Sequence, residues 1–364
     1  MRVLHILDEL KPSGAETMLK TAAPYWKEEG LELGILATGK QIGDFKPDLE
    51  AAGYGIHHIP FERNLRFAAQ VFQFLWKHEY DVVHIHPQRV NFVYCLAAAA
   101  ARVPRIVRTV HHIFPHDGLL AQRVKLERQI ATRLLGVEFI SNSHSGKKNE
   151  LERYGIDNDI IYNWYDNDLF QPPSQEQREQ ARQHLGLSDD TLALVSLGGF
   201  WDYKNYDYVV RALSQLPRGA NVVYLHIGKN GEALQREAEE QGVADQVQTL
   251  GFVDEVLPIL HASDVYVMPS SIEGFGIAAV EAMAVGLPVI LSKVPALKDF
   301  KRFTDAVYWV DPRVDDIVEA IRYFQSLSER ERQEVGTELH EAVRDRFSPE
   351  VGAAQYLKVY INRE

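Results

Sequence analysis

The chain has 364 residues, 46% of them hydrophobic and 25% charged, the balance of a soluble globular protein rather than a disordered, fibrous or coiled-coil one. At roughly 150 residues per domain this length suggests two domains. The net charge of −12 lacks the basic footprint of general nucleic-acid binding, and the single cysteine, Cys95, allows no internal disulfide.

Met1–Asp8 opens the chain as a short strand ending in an acid, not as a secretory leader. Strand patterns follow in order at Arg2–Leu7, Leu31–Ala37, Ile56–Pro60, Asp81–Ile85, Arg105–Val110 and Val137–Ile140. Amphipathic stretches separate them, Asn64–His78 and Leu119–Leu135 being the longest. Around Asn167–Gln180 the rhythm breaks, and Gln171-Pro172-Pro173-Ser174-Gln175 reads as a linker entering a polar helix. It then restarts with strands at Leu192–Leu197, Asn221–Ile227, Val247–Leu250, Asp264–Met268 and Pro288–Leu291. Helices at Tyr206–Leu216, Gly231–Gln241 and Gly276–Val285 lie between them, and Pro349–Ile361 is a final amphipathic helix.

Strands alternating with helices imply parallel sheets wrapped on both faces, hence an α/β protein of two Rossmann-like, doubly wound domains facing across a cleft. We expect the first at residues 1–168 and the second at 169–348, with residues 349–364 packing back on the first. The halves differ in charge. Residues 1–172 hold 20 Lys/Arg against 21 Asp/Glu, and residues 173–364 hold 19 against 30. No apolar run approaches the roughly 18–20 residues of a membrane span, and the lone thiol suits a reducing compartment, so a cytoplasmic location is expected.

The densest patch of chemistry is Ser270-Ser271-Ile272-Glu273-Gly274-Phe275-Gly276-Ile277-Ala278-Ala279-Val280-Glu281. Gly274-x-Gly276-x-x-Ala279 has the spacing of a dinucleotide fingerprint. Its context is wrong, because Pro269–Glu273 intervene after the strand and no acid ends the next one. The patch instead offers a glycine-preceded helix N-terminus, where backbone N–H groups and the helix dipole favour an anion or a sugar hydroxyl. Glu273 on the loop and Glu281 about a turn and a half into the helix bracket it.

Glu273, seven residues and Glu281, followed by Ala282-Met283-Ala284-Val285-Gly286-Leu287-Pro288-Val289-Ile290, resemble the E-x7-E signature of the retaining glycosyltransferases of family 4, which have the GT-B architecture. The resemblance covers nearly the whole chain. It includes Asp81-Val82-Val83-His84-Ile85-His86, Arg108-Thr109-Val110-His111, Ser141-Asn142-Ser143, Asn163-Trp164-Tyr165-Asp166 and Leu197-Gly198 with Lys204-Asn205.

The resemblance implies an acceptor domain followed by a donor domain. It implies transfer of a sugar from a nucleotide-diphosphate sugar, UDP- or GDP-linked, to a hydroxyl of a glycan, glycolipid or small molecule. Anomeric configuration would be retained, without metal or other cofactor. By position, Glu281 would bind ribose hydroxyls and Glu273 those of the transferred sugar. Gly274, Phe275, Gly276 and Ile277 would hold sugar and phosphate through their backbone. Gly14, Gly198 and Lys204 would meet the donor, Lys204 as counter-charge to the diphosphate, and His111 would stand beside the reacting sugar. Relatives commonly carry an Arg where Gly199 stands, and many have two glycines where this chain has only Gly14.

Other readings are weaker. His84 with His86, His57-His58 and His111-His112 invite a metal, but no Cys or spaced carboxylate completes a tetrahedral set. Asp157-Asn158-Asp159 and Asp166-Asn167-Asp168 look like turns and caps rather than metal-binding Asp-x-Asp pairs. Leu119–Leu135 carries Arg123, Lys125, Arg128 and Arg133 beside Leu120, Val124, Ile130 and Leu134, a pattern that suits either a helix packed on the sheet or peripheral contact with an anionic membrane. Two alternatives to transfer stay open: a degenerate sugar-nucleotide binder, suggested by Gly199, and an NAD-dependent oxidoreductase, suggested by Gly274-x-Gly276.

Overall fold

The computed structural model describes residues 1–111, 117–253 and 255–361. They form two compact units: Met1–Trp164 together with the helix Pro349–Ile361, and Tyr165–Ser348. The first unit holds β1 (Arg2–Leu7), β2 (Glu32–Ala37), β3 (Gly55–His58), β4 (Val82–Ile85), β5 (Arg105–Val110), β6 (Val137–Ser141) and β7 (Asp159–Ile160). They lie in the order β3-β2-β1-β4-β5-β6-β7, every pair parallel. The second holds β8 (Leu192–Leu197), β9 (Val222–Ile227), β10 (Val247–Gly251), β11 (Val265–Met268), β12 (Val289–Ser292) and β13 (Tyr308–Val310). Their order is β10-β9-β8-β11-β12-β13, again all parallel.

Both orders run outward in two directions from the first strand, the doubly wound arrangement in which ligands bind beyond the carboxyl ends of the strands. The expected α/β class and Rossmann-like domains are therefore present. The sequence did not signal β7 and β13, which are only two and three residues long and carry no alternation to read.

In the first unit both sheet faces are buried. Val3, Leu7, Ile35, Val82 and Val107 pack on one side and Leu4, Ile6, Val83, Ile85 and Ile106 on the other. The helix Leu65–His78 begins where Asn64 accepts a hydrogen bond from the Phe67 N–H, a side-chain cap that satisfies one orphan donor. The helix Pro349–Ile361 joins the first face through Ala353, Tyr356 and Tyr360, and Trp26 Nε1 donates to the Ala353 carbonyl at 3.0 Å. Gly352 lets this helix lie on Trp164, because a Cβ there would stand 2.0 Å from the indole.

The division between the units falls at Trp164–Tyr165. The Tyr165 N–H donates to the Phe347 carbonyl at 3.2 Å, and its buried ring meets Phe170 within the second unit. The polar helix Gln175–His184, opened by a Ser174/Gln177 capping box, is tied down by charge rather than by an apolar face. Arg178 and Arg182 grip buried Asp264 at 2.6 and 3.1 Å, and Asp264 also accepts from the Ala193 N–H at 2.7 Å.

One expected face turns out otherwise. In the helix Gly118–Arg133, Arg128 points inward and pairs at 2.9 Å with Glu150, which is fully buried. Leu119 and Leu134, the latter just past the helix, are instead 84% and 76% exposed. An interior carboxylate demands a counter-charge, and that demand overrides the apolar pattern of the helix. Among the described residues no helix is long and apolar enough to cross a membrane.

Candidate active site

In the second unit the loops leaving β8 and β11 carry the candidate donor residues. After β11 the chain runs through Ser270–Glu273 to buried Gly274, Phe275 and Gly276. Gly276 adopts φ 89° and opens the helix Ile277–Ala284, a left-handed conformation that favours glycine. A Cβ there would also lie 2.5 Å from Leu297 Cδ2. The peptide N–H groups of the first helical turn therefore start immediately beyond the loop that holds Glu273.

Lys204, in the short turn Asp202–Lys204 after β8, donates to Glu273 Oε1 at 2.7 Å. The Ser270 hydroxyl donates to the same oxygen, also at 2.7 Å. Both contacts use Oε1, which leaves Oε2 to accept from a ligand hydroxyl. The two loops are sewn together by Asn205, whose Nδ2 donates to the Pro269 carbonyl at 2.8 Å and the Ser271 hydroxyl at 2.7 Å. The Ser271 N–H returns a bond to the Tyr203 carbonyl at 2.7 Å.

Glu281 is half-buried, and its carboxyl is pushed up to about 8 by burial and then by the negative charge of Asp166. Beneath the loops lies Tyr266, raised well above its usual range by burial and by the neighbouring Tyr206, Glu273 and Glu281. Glu273, Glu281 and Lys204 thus share one neighbourhood.

Gly198, at φ 139°, ends β8. A Cβ on Gly228 would stand 2.0 Å from the Gly198 carbonyl oxygen, so the loops after β8 and β9 meet backbone to backbone. The Phe200 N–H donates to the Lys229 carbonyl at 2.8 Å, which brings Lys229 onto the loop where Gly199 offers no charge. Its ammonium stands 5.8 Å over the Phe252 ring, whereas Lys293 is held 3.5 Å from Asp311.

Gly14 and His111 belong to the first unit. Gly14 is the first residue of the helix Gly14–Glu28, after Ser13, whose hydroxyl bonds to Glu16. His111 directly follows β5. Its Nε2 lies 3.2 Å from His86 Nδ1, and its carbonyl accepts from Asn142 Nδ2 at 3.1 Å. His112 lies outside the described residues.

The structure also gives contacts to residues that the sequence reading left without a role. Ser270 and Asn205 hold the Glu273 loop, and in the first unit Asp8 and Glu16 both have carboxyls raised by burial. Asn205 and Glu16 stand next to residues the motifs did single out, Lys204 and Gly14, but no spacing rule predicts the cross-loop bonds.

Of the two Asp-x-Asp runs only Asp166-Asn167-Asp168 is a turn; Asp157-Asn158-Asp159, expected as a turn, runs instead into β7, whose first residue is Asp159. Asp166 Oδ1 accepts from the Asp168 and Leu169 N–H groups at 3.2 Å, and Asp157 pairs with Lys147 at 3.0 Å. His5, His84 and His86 lie close enough to ligate one ion; of their nitrogens all but His5 Nε2 bond to one another, Thr109, Tyr360 or His111.

The family model described as Glycosyltransferase Family 4 matches residues 12–198, just over half of the chain. The chain belongs to glycosyltransferase family 4. The model described as Glycosyl transferases group 1 matches residues 177–338 of this family 4 protein, the part that carries Lys204, Glu273 and Glu281. Among relatives, the uncharacterized glycosyltransferase MJ1607 of Methanocaldococcus jannaschii is 28% identical over 66% of this chain and 64% of its own. N-acetyl-alpha-D-glucosaminyl L-malate synthase of Bacillus anthracis is 24% identical over 90% of this chain and 93% of its own. The crystal structure of Anabaena HepE in complex with UDP-glucose superposes with a TM-score of 0.83 at 20% identity, covering 99% of both chains. The fold of this family 4 protein is GT-B.

Proposed function

We propose that this glycosyltransferase is a retaining, metal-independent hexosyltransferase. It takes a nucleotide-diphosphate sugar, UDP- or GDP-linked, and passes the sugar to a hydroxyl of a glycan, glycolipid or small molecule. The carrying observation is the Lys204–Glu273–Ser270 constellation on a glycine-opened helix N-terminus, with Glu281 further along the same helix. UDP-glucose in the HepE structure supports a UDP-sugar among the candidate donors.

In this reading Glu281 accepts hydrogen bonds from the ribose hydroxyls and Glu273 Oε2 from the sugar. The backbone of Gly274–Ile277 and Gly198 lies along the sugar and phosphates, and Gly14 and His111 keep the roles toward the donor and the reacting sugar that the family resemblance gives them. The acceptor oxygen bonds to the anomeric carbon on the face the diphosphate leaves, the carbon–oxygen bond to phosphate breaks, and the acceptor proton passes to the departing phosphate. Negative charge grows on the diphosphate, so a fixed Lys204 stabilises the transition state more than the ground state. Lys229 supplies the second cation where Gly199 has none. Protein nucleophile, metal and cofactor are unnecessary to this scheme, and chelation with EDTA leaves turnover unchanged; loss restored by Mn²⁺ would refute metal independence.

Exposed Leu119 and Leu126, with Lys125 and Arg133 on the same helix, suit shallow contact with the cytoplasmic face of an anionic membrane, where a lipid-linked acceptor would be met. Calorimetric titration with UDP, GDP, ADP and NAD tests the donor reading. Binding of UDP or GDP, lost in Glu281→Ala, is expected. Binding of NAD alone would restore the oxidoreductase reading. Release of nucleoside diphosphate only when acceptor is present separates an enzyme from a degenerate binder.

A further inference from the structure

The first unit contains a line of rings that the donor chemistry does not use. His5, in β1, is completely buried and stacks on Trp26 with centroids 5.3 Å apart. Its Nδ1 lies 3.0 Å from His86 Nε2, and His86 Nδ1 lies 3.2 Å from His111 Nε2. The His86 N–H donates to the Ile6 carbonyl at 3.1 Å, which fixes its backbone beside β1. His84 does not compete for these atoms, since it bonds Tyr360 through Nδ1 and Thr109 through Nε2. Burial holds His5 down to about 3 and His84 and His86 well below the usual imidazole range, so these rings are neutral.

A neutral imidazole has one N–H and one lone pair. With His111 neutral as well, three of them joined nitrogen to nitrogen must share one direction of donation. The inner end sets that direction. His5 Nε2 is buried and meets no partner, and a buried N–H without an acceptor is tolerated less often than a bare acceptor. His5 then carries its proton on Nδ1 and donates outward, His86 does the same, and His111 receives at Nε2.

We infer that His86, anchored by His5, is a positioning residue that locks His111 in the Nδ1–H tautomer and fixes its ring plane. His111 consequently presents a donor, not an acceptor, at Nδ1. The catalytic consequence rests on the reading of His111 as the histidine beside the reacting sugar; the tautomer itself does not.

Long-range ¹H–¹⁵N correlation spectra of the ligand-free, histidine-labelled protein above pH 7 give the direct test. His111 is expected to show a pyrrole-like Nδ1 and an imine-like Nε2. The shifts should converge toward a tautomeric average in His86→Leu and stay apart in His86→Asn, whose amide N–H replaces Nδ1–H. The reverse tautomer, an average already present in the parent protein, or shifts unmoved in His86→Leu would each overturn the inference. With UDP-glucose as probe, kcat for UDP release should fall on the order of 10–100-fold in His86→Leu with KM unchanged, as a small misplacement of a reacting group costs. In a His111→Ala background His86→Leu should add nothing. If His111→Ala alone leaves UDP release intact, the role given to His111 fails, while the spectra still decide the relay.

Discussion

The two sheets of this glycosyltransferase end in opposite electrostatics. Beyond the second sheet, Lys204 and Glu273 form an ion pair, with Ser270 on the same carboxylate oxygen. At the end of the first, His86 and His111 extend a line of hydrogen-bonded rings that starts from His5 within β1, the inner two kept neutral by burial. The same doubly wound scaffold thus directs polar atoms in two ways, by charge that acts over distance and by proton placement that acts only on contact. The division suits the proposed chemistry, since a departing diphosphate needs a field and a positioned hydroxyl needs a donor of known direction.

Removing the charge should have the largest effect. Lys204→Ala is expected to slow transfer about a hundredfold or more, the usual consequence of losing one transition-state contact worth roughly 2.7–4 kcal/mol. Near-parental turnover would place the phosphate site elsewhere. Lys229→Ala, acting from the adjoining loop, should do less.

Glu281 comes next. Its replacement by Ala should weaken nucleoside diphosphate binding more than tenfold, because a charge-assisted hydrogen bond contributes about 1.5–3 kcal/mol. Burial pushes its carboxyl up to about 8, so the charged form that accepts most strongly grows in as pH rises toward that value. UDP affinity measured by calorimetry should rise as pH passes upward through that value, and Glu281→Gln should flatten the rise. The stability sign is opposite to that of an ion-paired acid. A folded-state value above the unfolded 4.5 means stability falls as pH climbs from 4.5 toward 8, so Glu281→Gln should gain Tm over the parent progressively across that window.

On the neutral side, Tyr360→Phe removes the 2.7 Å bond to His84 Nδ1 without changing ring volume. A loss of about 1 kcal/mol in chemical denaturation is expected. No change would mean that the histidine cluster does not depend on the final helix.

The smallest effect is a gain. Gly199 is not in the left-handed region, and the nearest neighbour of a Cβ there is the indole of half-exposed Trp201, at 2.9 Å, a ring that can shift. Gly199→Arg should therefore fold and tighten UDP binding by a few-fold, on the order of one exposed ion pair. Weaker binding would show that this loop touches the ligand through its backbone.

Much of this was legible in the residues. Arg2–Leu7, Arg105–Val110 and Leu192–Leu197 read as strands because each is a short run rich in aliphatic residues, and Glu273 and Glu281 stood out by their spacing around Gly-Phe-Gly. What escaped depends on register and on distant partners. The inward turn of Arg128 is decided by Glu150, which no periodicity in the helix reveals. His84 and His86 could be placed on one face from the alternation of β4. Only the parallel pairing of β1 with β4 brings His5 beside them and starts the line of rings that reaches His111.

The helix Pro349–Ile361 completes the first unit with the last described stretch of the chain, so that unit is assembled from two separate stretches of sequence. During synthesis the seat for Tyr356 and Tyr360, floored by Trp26, His84 and Thr109, stays open until the whole second unit has emerged. A fragment cut at Trp164 would lack those contacts and leave this face of the sheet uncovered. Joining the helix to the front of Met1 in a circular permutant would let the first unit close on its own.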